Sequence, residues 1–478
     1  MFKLTTFSSL IIFLVFSSCS PHEKIKIVRM MPGELWSETI QVVPAAGDPD
    51  PETLVLDLTQ KQQVIDGFGA CFNEMGWDAL MILDSSRRED LLFRIFDRED
   101  GCGFNIFRMP IGANDYAVEW YSLNETPGDY EMSGFTIDHD RKYLIPYIKA
   151  AQKYAPGMKI WASPWCPPVW MKTNKHYACR MDVVNDLCCR ELEGREGLTQ
   201  FIMDDKTLSA YALYFSRFIQ AYANLGIGIY AVHPQNEPNS CQNFPSCIWT
   251  ASDLATFIGK YLGPRLEADG LDTDIWYGTI ERPYIENIDT VLTDPGVKKY
   301  IKGVGFQWAG KGAIEKTHEK YPDMKLMQTE SECGDGSNDW AAAMHTFDLL
   351  QHYFNNGANV YMYWNIVLDE TGKSHWGWKQ NSLITIDRAS GEIILNPEFY
   401  LIKLFSTHIR PGAVKINAGP GKNILAFANP EGDLVVIVRN PEETTLVKKI
   451  SVGNKTYQVA LEPGSVNALL LEPSLEDS

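Results

Sequence analysis

Ile227-Gly228-Ile229-Tyr230-Ala231-Val232-His233-Pro234-Gln235-Asn236-Glu237-Pro238-Asn239 and Met324-Lys325-Leu326-Met327-Gln328-Thr329-Glu330 share one form: a short apolar run that leads to a glutamate. Runs of this length read as buried strands. Glu237 and Glu330 stand 93 residues apart. A barrel of eight strand-helix units in roughly 250 residues uses about 31 residues per unit, so the spacing suits strands three units apart. Side chains at those strand ends converge on one mouth. A pair of carboxylates there is the equipment of glycoside hydrolysis.

The surrounding chain fits that reading. From Val64 to Phe405, strand-like runs alternate with helical stretches. Phe104 to Met109, Lys159 to Ala162 and Val360 to Trp364 are such runs, while Leu208 to Tyr222 and Trp340 to Phe354 carry apolar residues at helical spacing. This alternation predicts a parallel sheet, and the length favours a closed (β/α)8 TIM barrel, an α/β fold. After Pro411 the pattern changes to short strands separated by Gly, Pro and Asn: Ile424 to Phe427, Leu434 to Val438 and Val466 to Leu471. That is an all-β sandwich pattern. Thr53 to Leu58 also alternates like a strand, whereas residues 20 to 50, with Pro32, Pro44 and Pro49, read as extended chain. The expected division is a targeting segment over 1–19, an N-terminal part of the sandwich over 23–63, the barrel over 64–405 and the C-terminal sandwich over 406–478.

With 478 residues, 45% of them hydrophobic, the chain can bury a large core and more than one barrel needs. A net charge of −18 argues against nucleic acid or an anionic membrane surface as main partner. Lys3, the apolar run Leu10 to Phe16 and Ser17-Ser18-Cys19 form a segment too short to span a membrane. Small residues directly before Cys19 match a bacterial lipoprotein cleavage site, although Phe16 is larger than the usual aliphatic residue. The expectation is an exported cell-envelope lipoprotein, periplasmic or at the cell surface, touching the membrane only through a lipid at Cys19. Of ten cysteines, Cys179, Cys188 and Cys189 crowd one segment beside His176, and Cys241 and Cys247 flank another. Their spacing matches no zinc pattern, so loop disulfides or buried thiols are expected.

Glycoside hydrolysis passes through an oxocarbenium-like transition state. One carboxyl must protonate the leaving oxygen and a second must attack or assist from the other face. The first needs a raised pKa and the second a low one. Asn236, beside Glu237, offers an amide for a sugar hydroxyl next to the reacting carbon. Glu332, two residues after Glu330, is a rival second carboxylate. No cofactor or metal is called for.

Asn236-Glu237-Pro238 resembles the acid/base motif of clan A retaining glycosidases. Gly67-Phe68-Gly69-Ala70, Arg108-Met109-Pro110 and Ala162 through Lys172 narrow the resemblance to glycoside hydrolase family 30, which includes glucosylceramidases and microbial β-1,6-glucanases. The resemblance covers nearly the whole chain after the targeting segment. It implies a sandwich built from both termini, Glu237 as acid/base and Glu330 as nucleophile. Leu326-Met327-Gln328-Thr329-Glu330 matches the register of the family nucleophile, which favours Glu330 over Glu332. Arg108 resembles the arginine that braces the nucleophile, Asp115 the aspartate that grips sugar hydroxyls, and Trp165 and Trp364 the aromatics around the non-reducing sugar. Gln307 stands where the lipid-cleaving members carry His. The segment from Asn114 to Tyr130 is more like the β-1,6-glucanase branch. Trp376 and Trp378 are placed to stack on a second sugar.

The expected activity is retaining hydrolysis of β-glucosidic linkages, with β-1,6-glucan as leading substrate. A β-glucosidase, a glucosylceramidase-like enzyme of sphingolipid metabolism or a β-xylosidase is the enzymatic alternative. A non-catalytic glycan-binding lipoprotein is the alternative of another class. Retention of both glutamates with Arg108 and Asp115 argues against the last.

Overall fold

The computed structural model describes residues 23–43, 53–419 and 421–472. Eight parallel strands close into a barrel: β1 Gly67–Cys71, β2 Ile106–Pro110, β3 Lys159–Ser163, β4 Ile229–Val232, β5 Asp274–Ile280, β6 Ile301–Gln307, β7 Lys325–Glu330 and β8 Ala358–Asp369. Each pairs with the next, and β8 returns to β1. Helices cover the outer faces, so the strands are buried on both sides and read as continuous apolar runs. Trp161, Trp276, Met327, Val360 and Met362 fill the interior. Asp204 starts the helix Asp205–Ala223 by accepting from the Thr207 N–H, and Asp339 starts Trp340–Asn355 by accepting from Ala342. At Gly69 a Cβ would lie 1.6 Å from the Ile106 carbonyl oxygen, so only glycine lets β1 approach β2 there.

Two features go beyond the sequence reading. The strand Ser382–Ile386 pairs in parallel with the far end of β8, and Ile393–Leu395 pairs antiparallel with it, so the closed barrel carries a two-strand annexe. Residues 23–43, read as extended chain, form two antiparallel strands, Glu23–Met31 and Glu34–Val43. Ile25 and Ile27 alternate into a core, whereas the second strand lies at the sheet edge, and its apolar residues do not alternate into a core: Ile40 is 69% exposed.

Those two strands and Leu54–Val64 join six C-terminal strands between Val414 and Leu471 in one nine-stranded sheet. Glu23–Met31 pairs with Val466–Leu471, which ties one end of the chain to the other. Side-chain alternation divides two cores. Along Ile424–Ala428 and Leu434–Arg439, Leu425, Phe427, Val435 and Ile437 face the barrel, with Phe427 5.7 Å from Phe354. Ile424, Ala426, Leu434, Val436 and Val438 face the sandwich's own core with Ile25, Leu56 and Leu469.

None of the nine described cysteines is bonded to another. Cys179 and Cys247 are buried thiols, and the sulfurs of Cys188 and Cys189 lie 3.1 Å apart. Among the described residues no helix is long and apolar enough to cross a membrane. The targeting segment with Cys19 lies outside the described residues.

Phe427 stands at the barrel–sandwich interface, and Val447 is 55% exposed on the strand Leu446–Val452, next to the sheet edge. Phe427→Ala is expected to lower unfolding stability by about 3–5 kcal/mol, and Val447→Ala by less than about 1 kcal/mol. Urea unfolding midpoints compare them. Equal losses would mean that this sheet face does not carry the interface.

Candidate active site

Glu330 is the last residue of β7, and Gln307 the last of β6. Glu237 comes five residues after the end of β4, on a loop that turns back over the barrel mouth. The loop is held by its backbone: His233 N–H donates to the Ala162 carbonyl at 2.9 Å, Asn236 N–H to Pro164 at 2.8 Å, and Glu237 N–H to Thr279 Oγ1 at 3.0 Å. Glu237 has φ 43°, a left-handed conformation that a glutamate adopts only when its surroundings impose it.

Beneath the two glutamates lies Arg108, on β2, with no solvent exposure. Its Nη1 donates to Glu330 Oε2 at 2.8 Å, and its Nη2 to Asn236 Oδ1 at 2.6 Å and Ser163 Oγ at 3.0 Å. Its guanidinium carbon lies 4.3 Å from the Trp165 ring centre, 4.8 Å from Trp161 and 5.1 Å from Trp364. A buried cation needs such partners, and it obtains them from four barrel strands and the β4 loop. Asn236 is oriented by the same contacts. Its Oδ1 also accepts from Thr279 Oγ1 at 3.1 Å, which leaves its amide nitrogen as the donor facing the cleft.

One amide bridges the pair. Gln307 Nε2 reaches Glu237 Oε1 at 2.9 Å and Glu330 Oε2 at 3.2 Å. A single nitrogen at those distances keeps these two oxygens within about 6 Å of each other, close enough for both carboxyls to act on one glycosidic bond. Trp308 Nε1 donates to the other Glu330 oxygen at 3.1 Å. Glu330 therefore accepts from a guanidinium, an amide and an indole. Burial pushes its carboxyl up, to about 7, and the nearby Glu237 adds to this, while Arg108 pulls it down. Arg108 donates to Glu330 and not to Glu237, which favours negative charge on the Glu330 carboxyl.

The cleft above has a volume of about 280 Å³ and is lined by Glu237, Glu330, Asp115, Trp165, Asn236 and Trp378, among others. Asp115 is buried, with Oδ1 unpartnered among the described residues, and burial holds its carboxyl well above the usual range. Trp364 does not line the cleft. It lies fully buried, its ring centre 5.4 Å from that of Trp165. Trp376, expected at the mouth, is 4% exposed and packs on Trp120 at 4.6 Å. The turn at Gly377 sends it inward, and only Trp378, 40% exposed, reaches the cleft. Glu332 is drawn away by Lys311 and by His345, whose Nε2 is 3.0 Å from its Oε2.

Several residues of the site escaped the sequence reading: Trp308, Phe244, Gln380 and Glu281 line the cleft, and Thr279 and Ser163 are buried against Glu237 and Arg108. Glu281 had a visible signal, a carboxylate directly after the apolar run Ile275 to Ile280. It is 1% exposed, and its Oε1 accepts from Asn239 N–H at 2.7 Å and Ser240 Oγ at 3.3 Å. Burial and Glu237 push its carboxyl up to about 8.

A family model described as the glycosyl hydrolase family 30 TIM-barrel domain matches residues 65–409. The chain is 29% identical over 455 residues to a protein named putative glucosylceramidase 1 of Caenorhabditis elegans, covering 88% of this chain and 83% of that one. It is also 29% identical over 427 residues to endo-1,6-beta-D-glucanase neg1 of Aspergillus fumigatus, covering 83% and 84%. Among solved structures, SrfJ from Salmonella typhimurium superposes with a TM-score of 0.84 at 23% identity, over 95% of this chain and 100% of that one. An endo-beta1,6-glucanase superposes at 0.81 and 24% identity, over 94% and 100%. Both likenesses speak for the fold.

A carboxyl whose folded pKa lies above its unfolded value favours folding at low pH, and that contribution fades as pH rises towards the folded pKa. Glu281→Gln removes this loss. The variant is expected to match wild type near pH 5 and to gain, by on the order of 2 kcal/mol, by pH 8.5. Thermal melts at both pH values check this. A difference that does not change with pH would mean that Glu281 titrates normally.

Proposed function

The chain belongs to glycosyl hydrolase family 30, and from that premise we propose that it is a retaining β-glucanase acting on β-1,6-linked glucose. Glu237 is the acid/base and Glu330 the nucleophile. The observation that carries this reading is the Gln307 amide bonded to both glutamates, with Arg108 directed at only one of them.

The chemistry follows from the contacts. A Glu330 oxygen attacks the anomeric carbon while Glu237 gives its proton to the departing glycosidic oxygen. The guanidinium, amide and indole donors hold charge on Glu330 before attack and stabilise it as a leaving carboxylate afterwards. Glu237, now ionised, takes a proton from water, whose oxygen attacks the same carbon and breaks the ester to Glu330. Asn236 donates its free amide to the hydroxyl beside the reacting carbon, and Asp115 grips hydroxyls of the same sugar. Trp165 supplies an apolar face, with Trp364 supporting it from behind. Arg108 is a positioning residue for Glu330 and Asn236.

A resemblance and an observation support a glucan rather than a single sugar on a lipid. By the family resemblance Gln307 stands where lipid-cleaving members carry His, and Phe244 and Trp378, their ring centres 6.3 Å apart, line the cleft with aromatic faces. The relative named glucosylceramidase is as similar in sequence as the glucanase, so a terminal β-glucoside is the second reading. Product analysis on β-1,3-, β-1,4- and β-1,6-linked glucans separates them. Release of short oligomers from the β-1,6-glucan alone supports the proposal, and turnover of glucosylceramide without glucan cleavage overturns it. The leader sequence around Cys19 supports export as a lipid-anchored enzyme.

The two glutamates are expected to fail differently. Glu330→Ala removes the attacking group and lowers turnover by about 10⁴-fold or more on every substrate. Glu237→Ala keeps the first step on aryl glycosides that leave without a proton, and added azide restores turnover with a β-glycosyl azide as product. Glycan and azide products read by NMR check both. Azide rescue of the opposite stereochemistry in Glu237→Ala would exchange the two roles.

Trp378→Ala should lower kcat/KM for β-1,6-gluco-oligomers roughly fivefold relative to an aryl β-glucoside, since stacking a ring on an aromatic face is worth about 1 kcal/mol or more. An unchanged ratio in a folded variant would make Trp378 a packing residue.

A further inference from the structure

A general acid must stand on the leaving-group side of the bond it protonates. The residues grouped with the Glu237 loop therefore border the departing sugar. Glu281 is one of them. Its Oε1 is committed to that loop, through the Asn239 N–H at 2.7 Å and the Ser240 hydroxyl at 3.3 Å. Its Oε2 is buried with no hydrogen-bond partner among the described residues. Yet the residue lines the same cleft as Glu237, Phe244 and Trp378. A buried carboxyl oxygen without a partner is costly unless a ligand or water completes it.

The neighbouring charges sharpen this. Arg282, the next residue, directs its Nε to Glu196 at 3.2 Å, and its Nη1 to the Glu281 carbonyl rather than the carboxylate. Burial disfavours an ionised Glu281, and Glu237 adds to this whenever it is itself ionised. A protonated Oε2 is both donor and acceptor, which matches a sugar hydroxyl.

We propose that Glu281 is a specificity-determining residue that binds the departing or incoming sugar through its free Oε2 while its Oε1 anchors the loop bearing Glu237. The proposal rests on the assignment of Glu237 and Glu330 given above. It adds a polar contact to a cleft that Phe244 and Trp378 also line. The same contact serves the reverse use of the site. In the glycosyl-enzyme a sugar hydroxyl can replace water: its oxygen bonds to the anomeric carbon, the bond from that carbon to Glu330 breaks, and the hydroxyl proton passes to Glu237.

That competition provides the test. 2,4-Dinitrophenyl β-glucoside loads the enzyme without needing an acid, and added glucose competes with water for the intermediate. Glu237 acts as base in both routes, so a mere displacement of its loop slows both alike. Binding of the acceptor by Glu281 alters only the ratio of transfer to hydrolysis. At a fixed glucose concentration, Glu281→Leu is expected to lower that ratio about tenfold, the effect of one hydrogen bond. Glu281→Gln retains an acceptor for the loop and a donor for the sugar, and should hold the ratio within about twofold. An unchanged ratio in Glu281→Leu, or equal losses in both variants, overturns the proposal. So does a wild-type enzyme that hydrolyses the donor but transfers nothing to glucose. Absence of donor turnover in the wild type would instead overturn the β-glucoside reading, and with it the sugar that Glu281 is said to bind.

Discussion

A guanidinium with no solvent exposure sits under the barrel mouth, and the arrangement of the site follows from satisfying it. Arg108 cannot lose its proton, so every N–H must find an acceptor inside the protein. Ser163 on β3, Asn236 after β4, Gln307 on β6, and Thr329 and Glu330 on β7 supply them. Three tryptophan faces surround it where no acceptor stands. One side chain thereby sets the positions of a carboxylate, an amide and a loop that come from distant parts of the chain. The barrel makes this possible, because its strand ends bring residues 108, 163, 236, 307 and 330 to one place.

The same cation breaks the symmetry between two chemically identical groups. Two glutamates within reach of one amide cannot both ionise without mutual repulsion. Arg108 and Trp308 donate to Glu330 and not to Glu237, so the two carboxyls stand in different electrostatic surroundings. Glu237 is held differently, by a backbone N–H bonded to Thr279 and by a left-handed φ of 43°. Trp308, with φ 46°, is the second strained residue of the site. Conformations of this kind cost about 1–3 kcal/mol each, and persist because the packed mouth leaves no alternative.

The barrel was legible because its signal is periodic and its strands are buried on both faces. β3, β7 and the core of β8 lie within a residue or two of the runs read from the sequence, apart from the extension of β8 to Asp369, where the annexe strand pairs. The strand Glu34–Val43 was illegible because its apolar residues, Leu35, Trp36 and Ile40 among them, follow no strict alternation, as befits an exposed edge strand. Within the site, Glu237, Glu330 and Arg108 could be named because motifs carry them. Trp308 could not: its role depends on a left-handed turn directly after β6, which no local pattern of Gln307-Trp308-Ala309 announces. Thr279 and Ser163 were hidden for another reason. Their hydroxyls act only on partners more than 40 residues away, and short polar residues near strand ends are common.

Trp376 and Trp378 show where sequence reasoning about function meets its limit. They stand two residues apart in a polar loop, equal in chemistry and in every local signal. Gly377 lies between them with φ 81°, a conformation that reverses the chain and is easy only for glycine. The reversal turns one indole down onto Trp120 and the other out over the cleft, where Phe244 faces it. The inner ring is then a foundation for the outer. Its packing against Trp120, itself stacked on Tyr177 at 5.5 Å, ties the loop after β8 to the segments that follow β2 and β3. The outer wall of the cleft is thus built from loops that lean on one another rather than on the barrel. Loops of that kind can change while the buried arginine, the bridging amide and the two glutamates stay in place, and this separates the part of the molecule that selects a sugar from the part that cleaves it.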